Sequence, residues 1–124
     1  MNEKIKILYV DDEEPNLYLF KYNFSKYFEV FTANRGSEAL EVLNEQHDIK
    51  VVISDMKMPL MSGIEFIKKA QETYSSTKYF LLTGFDINEE IKDALNKQLI
   101  LKCFKKPFNK VEIQTTIQSA VVNN

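Results

Sequence analysis

Apolar and polar positions along the chain alternate between two periods: short β-rich runs are followed by stretches whose apolar side chains recur at helical spacing. Ile5 to Val10 is the first such run, and it stops abruptly at Asp11, Asp12, Glu13 and Glu14. Pro15 suits the first turn of a helix, and Leu17, Phe20, Phe24 and Tyr27 or Phe28 supply one apolar face, predicting a helix over roughly Glu14 to Tyr27. Phe28 to Ala33 reads as a second strand broken by Asn34-Arg35-Gly36, after which Ala39, Leu40 and Leu43 mark a second helix. Val51, Val52 and Ile53 are β-branched and consecutive, as expected of a strand covered on both faces, and they deliver Asp55 at the strand's end. Pro59 closes the extended segment, and Ser62 with Glu65 forms a capping-box pattern for a helix carrying Ile64, Ile67 and Ala70. Lys78 to Thr83 is a fourth strand. Asp86 with Glu89 predicts a second capping box, ahead of a helix with Ile87, Ile91, Ala94 and Leu95 on its apolar face. Leu101 to Lys105 reads as strand five, ending at Lys106-Pro107. Asn109 with Glu112 then opens a last helix with Val111, Ile113, Ile117, Ala120 and Val121 on one side.

Five strand and helix units joined by short loops predict an α/β fold, because right-handed crossovers return each strand parallel to its predecessors. The common solution is the doubly wound (βα)5 three-layer sandwich, flavodoxin-like, with a parallel five-stranded sheet of order 2-1-3-4-5. Its topological switch lies between strands one and three. That places Asp11 and Asp12 beside Asp55 at the edge where such sheets bind ligands, and Thr83 and Lys106 arrive at the same edge.

A length of 124 residues sets the expectation of one domain spanning 1–124, with no effector domain after Asn124 in this chain. The 44% hydrophobic and 27% charged fractions are those of a soluble protein, and no stretch approaches the ~18 apolar residues of a membrane span. The N-terminal apolar run stops at two aspartates, which a signal peptide would not tolerate, so a cytoplasmic location is expected. Cys103 is the only cysteine, which excludes an intrachain disulfide and a paired-cysteine zinc site. Lys102, Lys105, Lys106 and Lys110 cluster near the end of the chain, but a net charge of -2 gives no global attraction for nucleic acid, and they read as a solvated rim. His47 sits between Gln46 and Asp48 near a helix end and reads as a surface residue.

Three carboxylates with unperturbed pKa values near ~3.9 repel one another in a shared cleft at neutral pH unless a cation compensates. A hard divalent ion is the natural one. Magnesium accepts one or two carboxylates and a backbone carbonyl, retains waters and takes its remaining oxygen from a phosphate. One carboxylate is then free to attack phosphorus and form an acyl phosphate. Thr83 can donate a hydrogen bond to a phosphoryl oxygen, and Lys106 can offset the remaining charge.

Val-Asp-Asp-Glu at 10 to 13, Ser-Asp-Met-Lys-Met-Pro-Leu-Met-Ser-Gly at 54 to 63, Leu-Leu-Thr-Gly at 81 to 84 and Lys-Pro-Phe at 106 to 108 together resemble the receiver domain of bacterial two-component response regulators, the CheY-like family. The four motifs occur in the family's order, each at a strand end, and the similarity covers essentially the whole chain. It implies that Asp55 is the phosphoacceptor. It further implies that Asp12 is a direct ligand of Mg2+, with Mn2+ as an alternative ion. Asp11 is implied to act mainly through water and Lys57 to bind the ion through its main-chain carbonyl, with Asp55 as a further ligand. Thr83 and Lys106 are implied to hold the phosphoryl group. The implied donor is a phosphohistidine of a sensor histidine kinase or phosphotransfer protein. Phosphorylation shifts an equilibrium read by a target protein or effector domain on the face of helix four, strand five and helix five, and the resemblance is compatible with dimerisation. Catalysis in the family is confined to the domain's own phosphorylation and slow dephosphorylation, and neither nucleic acid nor membrane is a direct partner.

The chain departs from the family pattern three residues before Lys106, where receivers usually carry an aromatic that turns inward when the threonine moves. Cys103 stands there, and Phe104 and Phe85 are the aromatics nearby that could compensate. The loop before strand five reads Leu99-Ile100 in place of the customary Gly-Ala. Altered coupling between site and output face is the expected consequence. Two rival classes share parts of this chemistry. A haloacid-dehalogenase-like phosphatase needs an Asp-x-Asp nucleophile pattern, which Asp55-Met56-Lys57 lacks. A non-phosphorylated pseudo-receiver binding module is disfavoured by the full set of acids with Thr83 and Lys106.

Overall fold

Among residues 3–122, which the computed structural model describes, the β-rich runs form five strands and the amphipathic stretches five helices. The strands are β1 (Ile5–Val10), β2 (Phe28–Ala33), β3 (Val51–Asp55), β4 (Lys78–Thr83) and β5 (Lys102–Lys105). They alternate with α1 (Glu14–Phe24), α2 (Gly36–Glu45), α3 (Gly63–Thr73), α4 (Glu89–Asn96) and α5 (Lys110–Val122). Every ladder is parallel and the strand order is β2-β1-β3-β4-β5, the doubly wound order expected from the alternation. Positions 1–2 and 123–124 of the expected single unit lie outside the described residues.

Period-two alternation within the strands divides the interior into two layers. Ile7, Tyr9, Val51, Ile53, Phe80, Leu82 and Phe104 point to one face and pack with Leu17, Phe20 and Phe24 of α1 and Ile113 and Ile117 of α5. Leu8, Val10, Val52, Tyr79 and Leu81 point to the other, beneath α2, α3 and α4. Central β3 is buried along its whole length, which is why its sequence is a continuous apolar run. The register sets Val10 opposite Ser54, Asp55 opposite Leu82 and Thr83 opposite Lys105, so the C-terminal strand ends lie level at one edge.

Several element ends differ from the sequence expectation. α1 stops at Phe24 rather than Tyr27, because Ser25 caps it through the Lys21 carbonyl and Tyr27 turns back onto Phe24. Asp86 does not cap α4. Asn88 does, its side chain accepting from the Ile91 amide at 2.9 Å, while Asp86 pairs with Lys105 at 3.0 Å. Ile87 therefore precedes the helix and is exposed, as is Val111 of α5. Asn109 does accept from the Glu112 amide, but the Glu112 carboxylate pairs with Lys102 instead of closing a capping box. Among the described residues only Ser62 and Glu65 form the full reciprocal box. β5 begins at Lys102, one residue later than predicted.

Candidate functional site

The site begins with a carboxylate held by β1 and the turn that follows it. Asp11 is completely buried, and its amide donates to Ala33 on neighbouring β2. Its Oδ2 accepts from the Tyr9 hydroxyl at 2.7 Å, the Asn16 side-chain amide at 3.2 Å and Lys106 Nζ at 3.1 Å. Its Oδ1 accepts from the Glu13 amide at 3.0 Å. A buried carboxylate is tolerated only when so supplied with donors. Tyr9 is itself fixed by stacking on Phe20, with ring centroids 4.1 Å apart. Burial first, and then the charge of Asp11, pushes the Tyr9 hydroxyl far above its ordinary pKa, so it remains a donor at any physiological pH.

Asp55 ends β3 and is almost as enclosed. Burial raises its carboxyl above the usual carboxylate range; Lys106, 3.3 Å away, opposes that shift, the charge of Asp11 adds to it, and a hydrogen bond from the Lys57 backbone lowers it. The start of α3 packs directly on this residue. At Gly63 any Cβ would collide with the Asp55 carbonyl, so only glycine lets the helix approach the strand end this closely. Asp12 is exposed at the mouth. One carboxylate oxygen from each of Asp11, Asp12 and Asp55 lies within 4.8 Å of the others.

The remaining two strand ends close the site. Thr83 is completely buried, and its hydroxyl accepts from the Phe85 amide at 3.2 Å. Lys106 lies just past β5, before a cis peptide bond to Pro107, and spans Asp11 and Asp55. Burial alone would lower the pKa of its ammonium, but the hydrogen bond to Asp11 and the charges of both acids together raise it, keeping the group cationic. Lys57 is exposed, with Nζ 5.0 Å from the centroid of the Phe85 ring. The fold therefore brings all six sequence candidates, Asp11, Asp12, Asp55, Lys57, Thr83 and Lys106, to one edge. The donor set is all oxygen, as a hard divalent cation requires, and one ion could reach the three acids directly or through water.

The family model for the response regulator receiver domain matches residues 7–118. The chain belongs to the response regulator receiver family. Sporulation initiation phosphotransferase F of Bacillus subtilis is 32% identical over 120 residues, covering 95% of this chain and 93% of that protein. The hydrogenase transcriptional regulatory protein HoxA of Cupriavidus necator is 26% identical over 97% of this chain, which spans only 25% of that regulator's length. The structure of chemotaxis protein CheY4 of Vibrio cholerae superposes with a TM-score of 0.85 at 30% identity, covering 95% of this chain and 99% of that one. Receiver domains are the phosphoacceptor signalling modules of two-component systems, and this is the class of function the chain has. Among the described residues no helix is long and apolar enough to cross a membrane.

Within this receiver the position of the usual switch aromatic, Cys103, is half-buried against the α2–α3–α4 layer, and burial pushes its thiol above the ordinary range. Phe104 cannot stand in for the aromatic. It faces the opposite layer, is 1% exposed and stacks on Phe80 at 5.6 Å. Phe85 is 58% exposed beside Thr83. The basic cluster is drawn apart: Lys102 pairs with Glu112 at 2.8 Å, Lys105 with Asp86, Lys106 with the buried acids, and Lys110 lies over Tyr27. His47 is exposed in the turn after α2. Sequence reasoning missed Tyr9 and Asn16, which together with Lys106 hold the Asp11 side chain. Tyr9 had a usable signal, since it lies two residues before Asp11 and so on the same side of an extended chain. Asn16 had none, because an Asn in a first helical turn reads as ordinary capping chemistry.

Proposed function

We propose that Asp55 is the phosphoacceptor of this receiver and that Asp11, Asp12, Asp55 and the Lys57 main-chain carbonyl hold Mg2+, with Mn2+ as an alternative ion. The single observation that carries the reading is Lys106 spanning Asp11 and Asp55 at 3.1 and 3.3 Å beside Asp12, one cation already balancing part of a three-carboxylate cluster at the topological switch. Bound there, magnesium would neutralise phosphoryl oxygens and orient the donor. The chain's own residues do the rest. An Asp55 oxygen bonds to phosphorus as the phosphorus–nitrogen bond of a donor phosphohistidine breaks, and the imidazole leaves with the bonding pair and takes a proton from water. Lys106 remains beside the new phosphoryl group, and the Thr83 hydroxyl donates to one of its oxygens. Slow attack by water on phosphorus then restores the carboxylate.

The donor in this reading is a sensor histidine kinase or phosphotransfer protein, the location is cytoplasmic, and residues 1–124 form one receiver domain. Its output passes to a target protein or effector domain through the face of α4, β5 and α5, where Leu101 and Val111 are exposed and Lys102 ties β5 to α5. Incubation with a small phosphodonor and Mg2+, followed by intact mass, tests the assignment. One phosphoryl group is expected on the wild-type chain and none on Asp55→Asn; a gain that survives the substitution contradicts it.

A further inference from the structure

Three donors converge on the Asp11 Oδ2 atom, and they differ in their freedom to leave it. The Tyr9 hydroxyl lies 2.7 Å away, Lys106 Nζ 3.1 Å and the Asn16 side-chain amide 3.2 Å. Tyr9 sits in the layer beneath α1 and α5, its ring stacked on Phe20 at 4.1 Å, and among the buried apolar residues described in that layer it alone carries a hydroxyl. Its body belongs to the core and its tip to the site. Asn16 is held on α1 and also donates to the Glu13 carboxylate at 3.0 Å. Lys106 has a flexible stem and a second partner, Asp55 at 3.3 Å. Lys106 is therefore the donor able to leave, and Oδ2 keeps two hydrogen bonds when it does.

We infer that Tyr9 is a positioning residue of this site, its hydroxyl holding Asp11 once Lys106 has passed to a phosphoryl group on Asp55. The inference rests on the phosphoacceptor reading given above. A phosphoryl group brings roughly -1.5 to -2 charges to the Asp55 side of the lysine. Drawn toward it, the ammonium gives up its bond to Asp11. That carboxylate is completely buried, so an oxygen left short of donors opposes the transfer. Tyr9 and Asn16 limit this opposition by remaining in place. Without the hydroxyl, Oδ2 keeps Lys106 and Asn16 in the unphosphorylated chain, but Asn16 alone after the lysine leaves. The substitution therefore weighs more on the phosphorylated state than on the resting one, and Lys106 stays divided between the two acids.

Tyr9→Phe removes the hydroxyl and keeps the ring. With beryllofluoride as the phosphoryl mimic in saturating Mg2+, fluorine NMR titration should show binding weaker than in wild type by on the order of tenfold, the scale of one hydrogen bond to a charged group. The Mg2+ affinity of the chain without the mimic, read by calorimetry, should not weaken, because Lys106 and Asn16 still hold Asp11. A second measurement needs no substitution. In wild type isotopically labelled at tyrosine Cζ, the Tyr9 carbon signal should move to higher frequency when the mimic joins the Mg2+-saturated chain, since Asp11 draws harder on the hydroxyl once Lys106 has gone. Equal mimic affinity in Tyr9→Phe, a parallel loss of both affinities, or a Tyr9 signal unmoved in the mimic complex overturns the role of Tyr9 and leaves the phosphoacceptor reading intact. Failure of the wild-type chain to bind the mimic overturns both.

Discussion

Asp11 is the residue on which the geometry of the site depends most. A fully buried carboxylate with four donors is stable only while each donor stays in place, and Tyr9 supplies the shortest of these bonds at 2.7 Å. Tyr9→Phe removes that hydroxyl without altering the stack on Phe20, and it should cost about 1–3 kcal/mol in urea denaturation, the range for leaving a buried polar group short of a partner. An unchanged midpoint would mean that Asn16 and Lys106 suffice. Asp55 behaves in the opposite sense. Because burial raises its carboxyl pKa in the folded chain, the folded state binds the proton more tightly than the unfolded state does. Stability contributed by this group is therefore present at low pH and lost as pH rises through its folded pKa. In metal-free buffer, Asp55→Asn should melt at a higher temperature than wild type at pH 7, and the gap should narrow as the pH falls toward the carboxylate range. A lower melting temperature for the variant at pH 7 would show that the Lys106 pair outweighs burial.

At the scale of elements, close approach and chain reversal set the outcome. Gly63 lets α3 begin against the Asp55 carbonyl, and the obstacle to any side chain there is backbone that cannot rotate away. Gly63→Ala should therefore destabilise by about 1–3 kcal/mol or more, read from the denaturation midpoint. α4 ends in the contrary situation. Gln98 adopts a φ of 60°, with its amide on Leu95 and the Leu99 amide on Ala94, the bonding of a left-handed helix stop normally given to glycine. Gln98→Gly should raise stability by up to about 1 kcal/mol. The same elements show what could be read in advance. Strand positions were legible because buried β3 shows no polar alternation and β1, β3, β4 and β5 end at or next to a charged or hydroxyl residue, Asp11, Asp55, Thr83 and Lys105. The start of α4 was not, since Asp86-x-x-Glu89 and Asn88-x-x-Ile91 overlap and only the backbone decides which side chain reaches an amide. Ile87 and Val111 were misplaced for the related reason that a helical period remains ambiguous until its first residue is fixed.

For the whole molecule, the decisive feature is the sheet order. Crossing over between β1 and β3 joins acids more than forty positions apart in the sequence, and β4 and β5 add a hydroxyl and an ammonium at the same edge. The candidate site was thus readable from topology; Tyr9 was open to reading only from its spacing to Asp11, and Asn16 not at all, because its role exists only once Asp11 is enclosed. The two-layer interior also explains why Cys103 and Phe104, adjacent in sequence, have separate roles: one faces the layer beneath α4, the other the layer beneath α1 and α5. The proposed point of phosphoryl attachment is a single atom group, the Asp55 carboxylate. Borohydride reduces an acyl phosphate to an alcohol, so treatment of the chain after phosphorylation in Mg2+ converts the modified aspartate to homoserine. Peptide mapping by mass spectrometry should find homoserine at position 55 and nowhere else; homoserine at Asp11 or Asp12, or at no aspartate in a chain that has gained a phosphoryl group, would contradict the account.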